Sequence, residues 1–228
     1  MNPTPVAIQA KQTRLAPAEL DALRRAVEKE RPTFAHRLAG NLQVNELGQP
    51  FFRQHRILEI NSPLPFPAAK IHAIASNDGA VHVLTGHIEN LAAAAQSDPP
   101  PHLDDADTAR AYANLGDSWT TESEFGDFLV QSFAEIPWKP RLTDEERARV
   151  ADLQSNAGAA IKSLALTPEN DGFTLSKWVI SNRRLISRRL HIPKDGRLRR
   201  DDDIRAAEIP VFSGRTWGFV NGRLVPTG

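Results

Sequence analysis

The chain has 228 residues, of which 40% are hydrophobic and 25% are charged, and its 28 basic residues equal its 28 acidic residues in number. This composition is typical of a folded globular protein with room for two modest cores, and the balanced charge excludes an overall field that would attract nucleic acid or an anionic membrane. The absence of cysteine excludes disulfides, thiolate nucleophiles and cysteine metal sites. No segment has the apolar length of a signal peptide or a membrane helix, so the sequence as written predicts a cytoplasmic protein, or an extracellular or periplasmic one if a leader was replaced.

The amino-terminal part of the chain predicts a flexible arm over residues 1–15 and then a helix over residues 16–30. Pro17 suits the first turn of a helix, where its missing amide donor costs nothing. Leu23 and Val27 are four residues apart and therefore share one face of this helix. We expect that face to pack on a core.

Strands follow the helix and complete a first predicted module over residues 16–91. The residues 51–60 predict an extended strand, and residues 70–86 predict a hairpin. The tight turn falls at Asp78-Gly79, because glycine accepts the positive φ that such a turn requires. A helix covering one face of antiparallel strands predicts an α+β module.

The middle of the chain, residues 92–142, predicts a linker and bridging helices. An alanine run followed by three prolines predicts the linker over residues 92–101, since the prolines cannot continue a helix. Helices are predicted over residues 104–115 and 124–136. The second of these is expected because phenylalanines recur in it at nearly helical spacing.

The second predicted module occupies residues 143–228. Thr143 and Glu146 form the sequence signature of a capping box, which predicts a helix starting there. Short strands joined by tight turns follow, and a last hairpin is predicted within residues 209–228. Trp217 and Phe219 in that hairpin are candidate partner-binding residues, which either close the second sheet or are offered to a partner.

Two stretches resemble known families. Residues 51–91 resemble the fungalysin/thermolysin propeptide motif, in which Arg53 and Gln54 stand at the aromatic-Arg-Gln step of a strand that leads to a DG turn. Residues 172–199 look like a PepSY domain, which ends in a strand, a turn with glycine and a short strand. The resemblance implies two cystatin-like modules, each a helix on an antiparallel sheet, that fold first, template a metalloprotease domain and block its cleft. It makes Arg53 and Gln54 candidate partner-binding residues.

A basic segment over residues 183–200 holds eight lysine and arginine residues against one acid, Asp195. Residues 201–203 are aspartates that would neutralise part of this charge, and strand alternation divides neighbouring arginines between two faces. Three interpretations stay open: a solvated, salt-bridged strand, an acidic protein partner, and nucleic acid. Arg184 and Arg188 are the candidate partner-binding residues of this segment.

No catalytic motif is visible along the chain. The metalloprotease HExxH, glycine-rich phosphate loops and the GxSxG elbow do not occur. His72, His82 and His87 cluster in sequence, but a two-residue turn at Asp78-Gly79 would place His72 and His82 on opposite sheet faces, where one metal cannot bind both. The sequence therefore predicts no catalytic residue, no cofactor and no metal.

These patterns predict a non-enzymatic protein-binding module, most concretely a propeptide-like inhibitor or folding assistant of a thermolysin-like metalloprotease. The alternative is a stand-alone scaffold or assembly component without a protease partner. A third possibility is an enzyme whose active site joins residues distant in sequence, or a nucleic-acid binder that uses residues 183–200. The expected partner is a protein, and no membrane is involved.

Overall fold

The structure is a computed structural model that describes residues 9–35, 42–61, 70–98, 103–122 and 127–211, and the backbone of two later strands. Its helices are α1 (Pro17–Glu30), α2 (Pro32–Ala35), α3 (Ile88–Ser97), α4 (Ala106–Thr120) and α5 (Asp144–Ala157). Its strands are β1 (Ala10–Thr13), β2 (Gln43–Leu47), β3 (His55–Asn61), β4 (Lys70–Ser76), β5 (Val81–Val83), β6 (Phe128–Val130), β7 (Ala165–Glu169), β8 (Gly172–Ser181), β9 (Arg184–Pro193), β10 (Arg199–Ala206), β11 (Trp217–Val220) and β12 (Arg223–Pro226). The antiparallel sheets and helices make an α+β fold, as predicted.

The chain divides into two compact units. The first comprises residues 1–124, 168–174 and 190–199, and the second comprises residues 125–167, 175–189 and 200–228. The division therefore falls at residues 124–125 instead of 142–143, and the first unit takes two short stretches of the predicted second module. Among the described residues, no helix is long and apolar enough to cross a membrane.

The first unit contains a five-stranded antiparallel sheet with the strand order β1-β2-β3-β4-β5. Helix α1 covers one face, where Leu23 and Val27 are fully buried in one core with Leu58 and Ile60 of β3. The predicted helical face is thus confirmed. Helices α3 and α4 contact β4 as well, and Tyr112 of α4 is fully buried.

The second unit contains most of a sheet with the strand order β10-β9-β8-β6, in which β7 also pairs with β8. Asn182 and Arg183 form the turn between β8 and β9 with φ values of 46° and 63°, the two left-handed residues of a two-residue hairpin turn. Helix α5 begins at the predicted capping box. The Thr143 hydroxyl accepts the Glu146 amide at 3.2 Å, and the Glu146 carboxylate accepts the Thr143 amide at 3.0 Å.

Three sequence predictions are corrected by the secondary structure. Residues 10–13 of the predicted arm form β1, which pairs with β2. Residues 92–97 of the predicted linker lie in α3, because alanine is the strongest helix former and the run is long enough to use it. The predicted helix over residues 124–136 is wrong as well. Its described part holds β6, which pairs with β8, and a 3-10 turn at Phe133–Glu135.

The structure forms both predicted hairpins, the one over residues 70–86 and the one within residues 209–228. The first hairpin is confirmed as β4 and β5, but its turn has three residues, Asn77 to Gly79, because the Ser76 amide donates to the Ala80 carbonyl at 2.9 Å and Ala75 pairs with Val81. The last hairpin is confirmed in its backbone, since β11 and β12 pair antiparallel. Its turn and its side chains lie outside the described residues.

Candidate functional site

A groove of about 690 Å³ lies within the second unit, between α5 and the chain after β10. That volume falls in the range of 300 to 1,000 Å³, roughly, that is typical of ligand sites. Aromatic and aliphatic side chains line it, with charged side chains among them. The lining residues are Trp138, Glu145, Ala148, Arg149, Val150, Asp152, Leu153, Asn156, Ala157, Ala160, Trp178, Arg205, Ala206, Ala207, Glu208, Ile209 and Pro210.

Helix α5 makes one wall of the groove. The wall begins at Glu145, follows α5 to its end at Ala157 and continues to Ala160 in a 3-10 turn, a length of about 20 Å at a helical rise of about 1.5 Å per residue. Only Leu153 and Ala157 of the helix are buried, and Ala148 is exposed. Because so little of this helix is buried, the groove stays open along it, between the helix and residues 205–210.

The start of α5 is fixed by ionic contacts as well as by its cap. Lys139 Nζ donates to Glu146 Oε1 at 2.9 Å, beside the capping box. The hydrogen bond from the Thr143 amide, followed by the bond from Lys139, lowers the pKa of the Glu146 carboxyl. The carboxylate therefore stays ionised at the positive end of the helix dipole, which stabilises this end of the wall.

The opposite wall is a segment of backbone held from two sides. The Ile209 amide donates to the Arg183 carbonyl at 3.0 Å, and the Lys139 amide donates to the Pro210 carbonyl at 3.0 Å. Glu208 has a left-handed φ of 52°, which is unusual for a residue with a side chain, and its carboxylate pairs with Arg183 at 3.0 Å. The wall is therefore set by its neighbours and does not depend on a ligand for its shape.

The groove offers binding contacts and no catalytic constellation. Trp138 packs on Phe133 with ring centroids 5.4 Å apart, and Trp178 is 9% exposed. Charges of both signs stand among the lining residues: Glu145, Asp152 and Glu208 against Arg149 and Arg205. Within the described ranges, no group of three metal-ligating side chains occurs.

A second feature, in the first unit, is a braced loop between β2 and β3 that carries two of the predicted site residues. The Phe51 and Phe52 amides both donate to Gln49 Oε1 at 2.7 Å, and Gln49 Nε2 donates to the Phe52 carbonyl at 2.9 Å and the His55 carbonyl at 3.3 Å. Phe51 is buried and meets the Tyr112 ring edge-on at 5.0 Å. The side-chain amide of Gln49 thus fixes the backbone of the loop through four hydrogen bonds.

The other support of this loop is Asp98, whose side chain is fully buried. Asp98 Oδ2 accepts the Gln54 amide at 2.8 Å and lies 3.0 Å from His55 Nδ1. Burial alone would raise the pKa of the Asp98 carboxyl, but the hydrogen bonds from His55 and from the Gln54 and Arg53 amides outweigh it, and the pKa is lowered. The loop therefore presents Arg53 and Gln54, both exposed, on a rigid support.

The arginines of the basic segment have different surroundings. Arg184 is exposed, whereas Arg188 is only 3% exposed and bonds in a bidentate way to Asp202 at 2.7 and 2.8 Å. Asp127 is a further ion-pair partner of Arg188. The choice of Arg188 as a partner-binding residue is therefore wrong for this fold, because its guanidinium is already enclosed by carboxylates.

The expected neutralisation of the basic segment is confirmed in part. Asp202 pairs with Arg188 and lies 3.8 Å from Arg200, and Asp195 pairs with Arg197. The hydrogen bonds and charge of Arg197 lower the pKa of the Asp195 carboxyl, and Asp195 in turn raises the pKa of Arg197. These pairs reduce the positive field that a phosphate backbone would meet.

The predicted placement of His72 and His82 on opposite sheet faces is wrong. Because the hairpin turn has three residues, Ile74 pairs with His82, and this register places His72 and His82 on the same sheet face. Each nevertheless has its own carboxylate: His72 lies 3.8 Å from Glu59, and His82 lies 3.4 Å from Glu30.

Trp217 and Phe219 belong to β11, and their side chains lie outside the described residues.

Sequence reasoning missed Gln49 and Asp98, because their roles depend on contacts that local patterns do not encode. It also missed the groove. A usable signal was the weak apolar face of α5, in which Leu153 and Ala157 are the buried residues among mostly charged and polar neighbours.

Comparison with known proteins finds no family model, no curated protein and no solved structure that matches this chain. The resemblance to the thermolysin propeptide and PepSY families stays a prediction.

Proposed function

We propose that this protein acts by protein–protein binding, and that its second unit holds an extended, mainly apolar segment of a partner in the groove along α5. The observation that carries the proposal is the groove itself, about 690 Å³ in volume and walled by Trp138, Trp178 and α5. Preformed walls lower the ordering cost of binding.

The shape and charge of the groove favour this kind of partner. A length of about 20 Å corresponds to roughly six residues of extended chain at 3.3 Å each. Acidic and basic side chains alternate among the lining residues, with Arg149 between Glu145 and Asp152 on α5. No single sign dominates, so an apolar segment with charges of both signs at its flanks complements the groove better than a uniformly charged one.

More specifically, we propose that the protein is an inhibitor or folding assistant of a thermolysin-like metalloprotease, and that it acts as the prosegments of such enzymes do. The order β1-α1-α2-β2-β3-β4-β5 of the first unit, with one long helix before four consecutive antiparallel strands, supports the cystatin-like part of this proposal. The rigid loop under Arg53 and Gln54 supports a second contact, because a prebuilt loop binds with little loss of entropy. A scaffold without a protease partner would use the same surfaces.

Inhibition of a thermolysin-like metalloprotease by the full chain tests the specific proposal, and selection from a peptide library tests the groove. Ala148→Trp places a large ring in the groove, and we expect it to weaken binding at least tenfold. Ala151→Trp is the matched control, because Ala151 is exposed on the same helix and does not line the groove.

The outcomes separate the two levels of the proposal. Peptide binding that Ala148→Trp weakens and Ala151→Trp leaves unchanged, without inhibition of the protease, would reject the metalloprotease and retain the groove. Equal binding by both variants would reject the groove as the binding site.

A further inference from the structure

Three side chains of the first unit meet in the order serine, histidine, aspartate, although His55 is far from the other two in sequence. His55 Nδ1 lies 3.0 Å from Asp98 Oδ2, and His55 Nε2 lies 3.5 Å from Ser97 Oγ. The Asp98 side chain is fully buried, the His55 side chain is 10% exposed, and Ser97 is exposed to solvent. The chain thus offers a hydroxyl to solvent with a supported imidazole behind it.

We infer that Ser97 is an activated nucleophile that accepts acyl groups from small esters, with His55 as its general base and Asp98 as the residue that positions His55. This inference is independent of the groove, which lies in the other unit. It also revises the expectation that no catalytic residue is present, because the three groups are brought together by the fold and not by a local motif.

The contacts of His55 determine which of its nitrogens can take a proton. Asp98 is an acceptor, so it selects the tautomer in which Nδ1 carries the hydrogen. The lone pair of Nε2 then lies on the side of Ser97. The Gln54 amide holds the same Asp98 oxygen at 2.8 Å, which fixes the carboxylate independently of His55.

The serine hydroxyl has two acceptors within reach. Ser97 Oγ donates to the Ala94 carbonyl at 3.1 Å, and rotation about the side chain turns the same hydrogen toward His55 Nε2. A separation of 3.5 Å is long for a hydrogen bond. Catalytic hydrogen bonds are often long before substrate binds, and they shorten in the complex.

The reaction proceeds in two balanced steps. The Ser97 oxygen bonds to the acyl carbon while its proton moves to His55 Nε2, and the bond to the leaving alkoxide breaks as the alkoxide takes that proton. Water, losing a proton to His55, then attacks the acyl-serine, releases the carboxylic acid and restores the Ser97 hydroxyl. No oxidant, reductant or metal is consumed.

The first test uses the full chain, a fluorophosphonate probe and p-nitrophenyl acetate, with intact-mass and peptide-mass readout. We expect one label on Ser97, lost in Ser97→Ala. Ser155→Ala is the matched control, because Ser155 is also an exposed helical serine whose hydroxyl donates to a backbone carbonyl, that of Ala151, at 3.0 Å. Labelling that is absent from the unchanged protein would overturn the inference.

The pH dependence of the labelling rate distinguishes a general base at His55 from a residue with a purely structural role. We expect His55→Gln to slow labelling on the order of a hundredfold, the usual size of a general-base contribution, and to abolish the rise of the labelling rate with pH. An unchanged rate and pH profile in a folded His55→Gln protein would remove His55 from the mechanism.

A thiol variant covers the case in which His55→Gln fails to fold. The chain has no cysteine, so Ser97→Cys and Ser155→Cys each carry one thiol, and alkylation by iodoacetamide is read directly by mass. An adjacent imidazole increases the thiolate fraction, so we expect Ser97→Cys to react at least tenfold faster at neutral pH. Equal rates would overturn the inference.

Discussion

Helices α1 and α5 both lie against antiparallel sheet, but α1 closes a core and α5 leaves a groove. The buried face of α1 has Leu23 and Val27, each with no exposed surface, and Ala26 between them. The buried face of α5 has only Leu153 and Ala157. Side-chain volume along one helix face therefore decides whether a helix on a sheet closes a core or leaves an open groove.

A second difference concerns the charges that hold each unit. The core around α1 is a cluster of apolar side chains, whereas the second unit encloses Arg188 between Asp127 and Asp202. A buried arginine with satisfied partners adds little net stability but penalises any arrangement that separates it from them. The ion cluster of Arg188 therefore favours one arrangement of the sheet in the second unit, where the face of α5 buries fewer apolar side chains than the face of α1 does.

The largest effect should come from the closed core. We expect Leu23→Ala to cost about 4 kcal/mol in free energy of unfolding, since it removes buried methyl groups and leaves a cavity. Leu153→Ala should cost only about 1.5 kcal/mol, because the residue lines an open groove and its loss leaves no new enclosed cavity. Urea unfolding followed by circular dichroism measures both. Equal costs for the two variants would contradict the view that α1 closes a core and α5 does not.

The buried charges should give the next largest effect. Arg188→Ala leaves two carboxylates without their arginine, and we expect a loss of about 3 kcal/mol in the free energy of unfolding. Arg184→Ala on the same strand is the matched control and should change stability by less than about 0.5 kcal/mol, since Arg184 is exposed. A small effect of Arg188→Ala would mean that the second unit does not depend on this ion cluster.

The braced loop should show a smaller effect with a distinct pH dependence. Asp98 has a lowered pKa, so its stabilisation is complete above the ordinary aspartate pKa and is lost as the pH falls through its folded-state pKa. We expect Asp98→Asn to cost about 2 kcal/mol at neutral pH, and the deficit to shrink below about pH 4. Urea unfolding from pH 7 to pH 3 measures this, and a deficit that stays constant with pH would contradict it.

The smallest effect sharpens the description of the groove wall. Thr143→Ala removes the amino-terminal cap of α5 and should cost about 1 kcal/mol in stability of the second unit. Thr143→Asp, which keeps an acceptor for the Glu146 amide, should restore most of it. Hydrogen exchange of the α5 amides measures both variants, and identical exchange in the unchanged and Thr143→Ala proteins would show that Lys139 and Glu146 suffice to hold the helix.

Much of the fold could be predicted because its signals are local. The capping box at Thr143 and the apolar face at Leu23 and Val27 each specify a helix through residues within two turns. The strand β6 could not be predicted, because Phe128 and Leu129 gain their strand conformation from pairing with Ile180 and Val179, about fifty residues away. Spacing alone cannot distinguish such a strand from a short amphipathic helix.

The candidate site depended even more on distant contacts. Arg53 and Gln54 could be chosen from the sequence, but their support could not, because Asp98 reaches them from 44 residues away. The burial of Arg188 has the same origin: its partner Asp127 lies 61 residues away. Sequence patterns show which residues are charged, whereas the fold decides which of those charges remain accessible.

The braced loop has a consequence for protein engineering. The side chains of Gln49, Phe51 and Asp98 set its shape. The side chains of Arg53 and Gln54 do not take part in these contacts, since Asp98 binds the backbone amide of Gln54. The two exposed positions are therefore separable from the scaffold that carries them. Other residue pairs grafted at positions 53 and 54 should be displayed in the same backbone geometry, which makes this loop a platform for selecting new binding specificities.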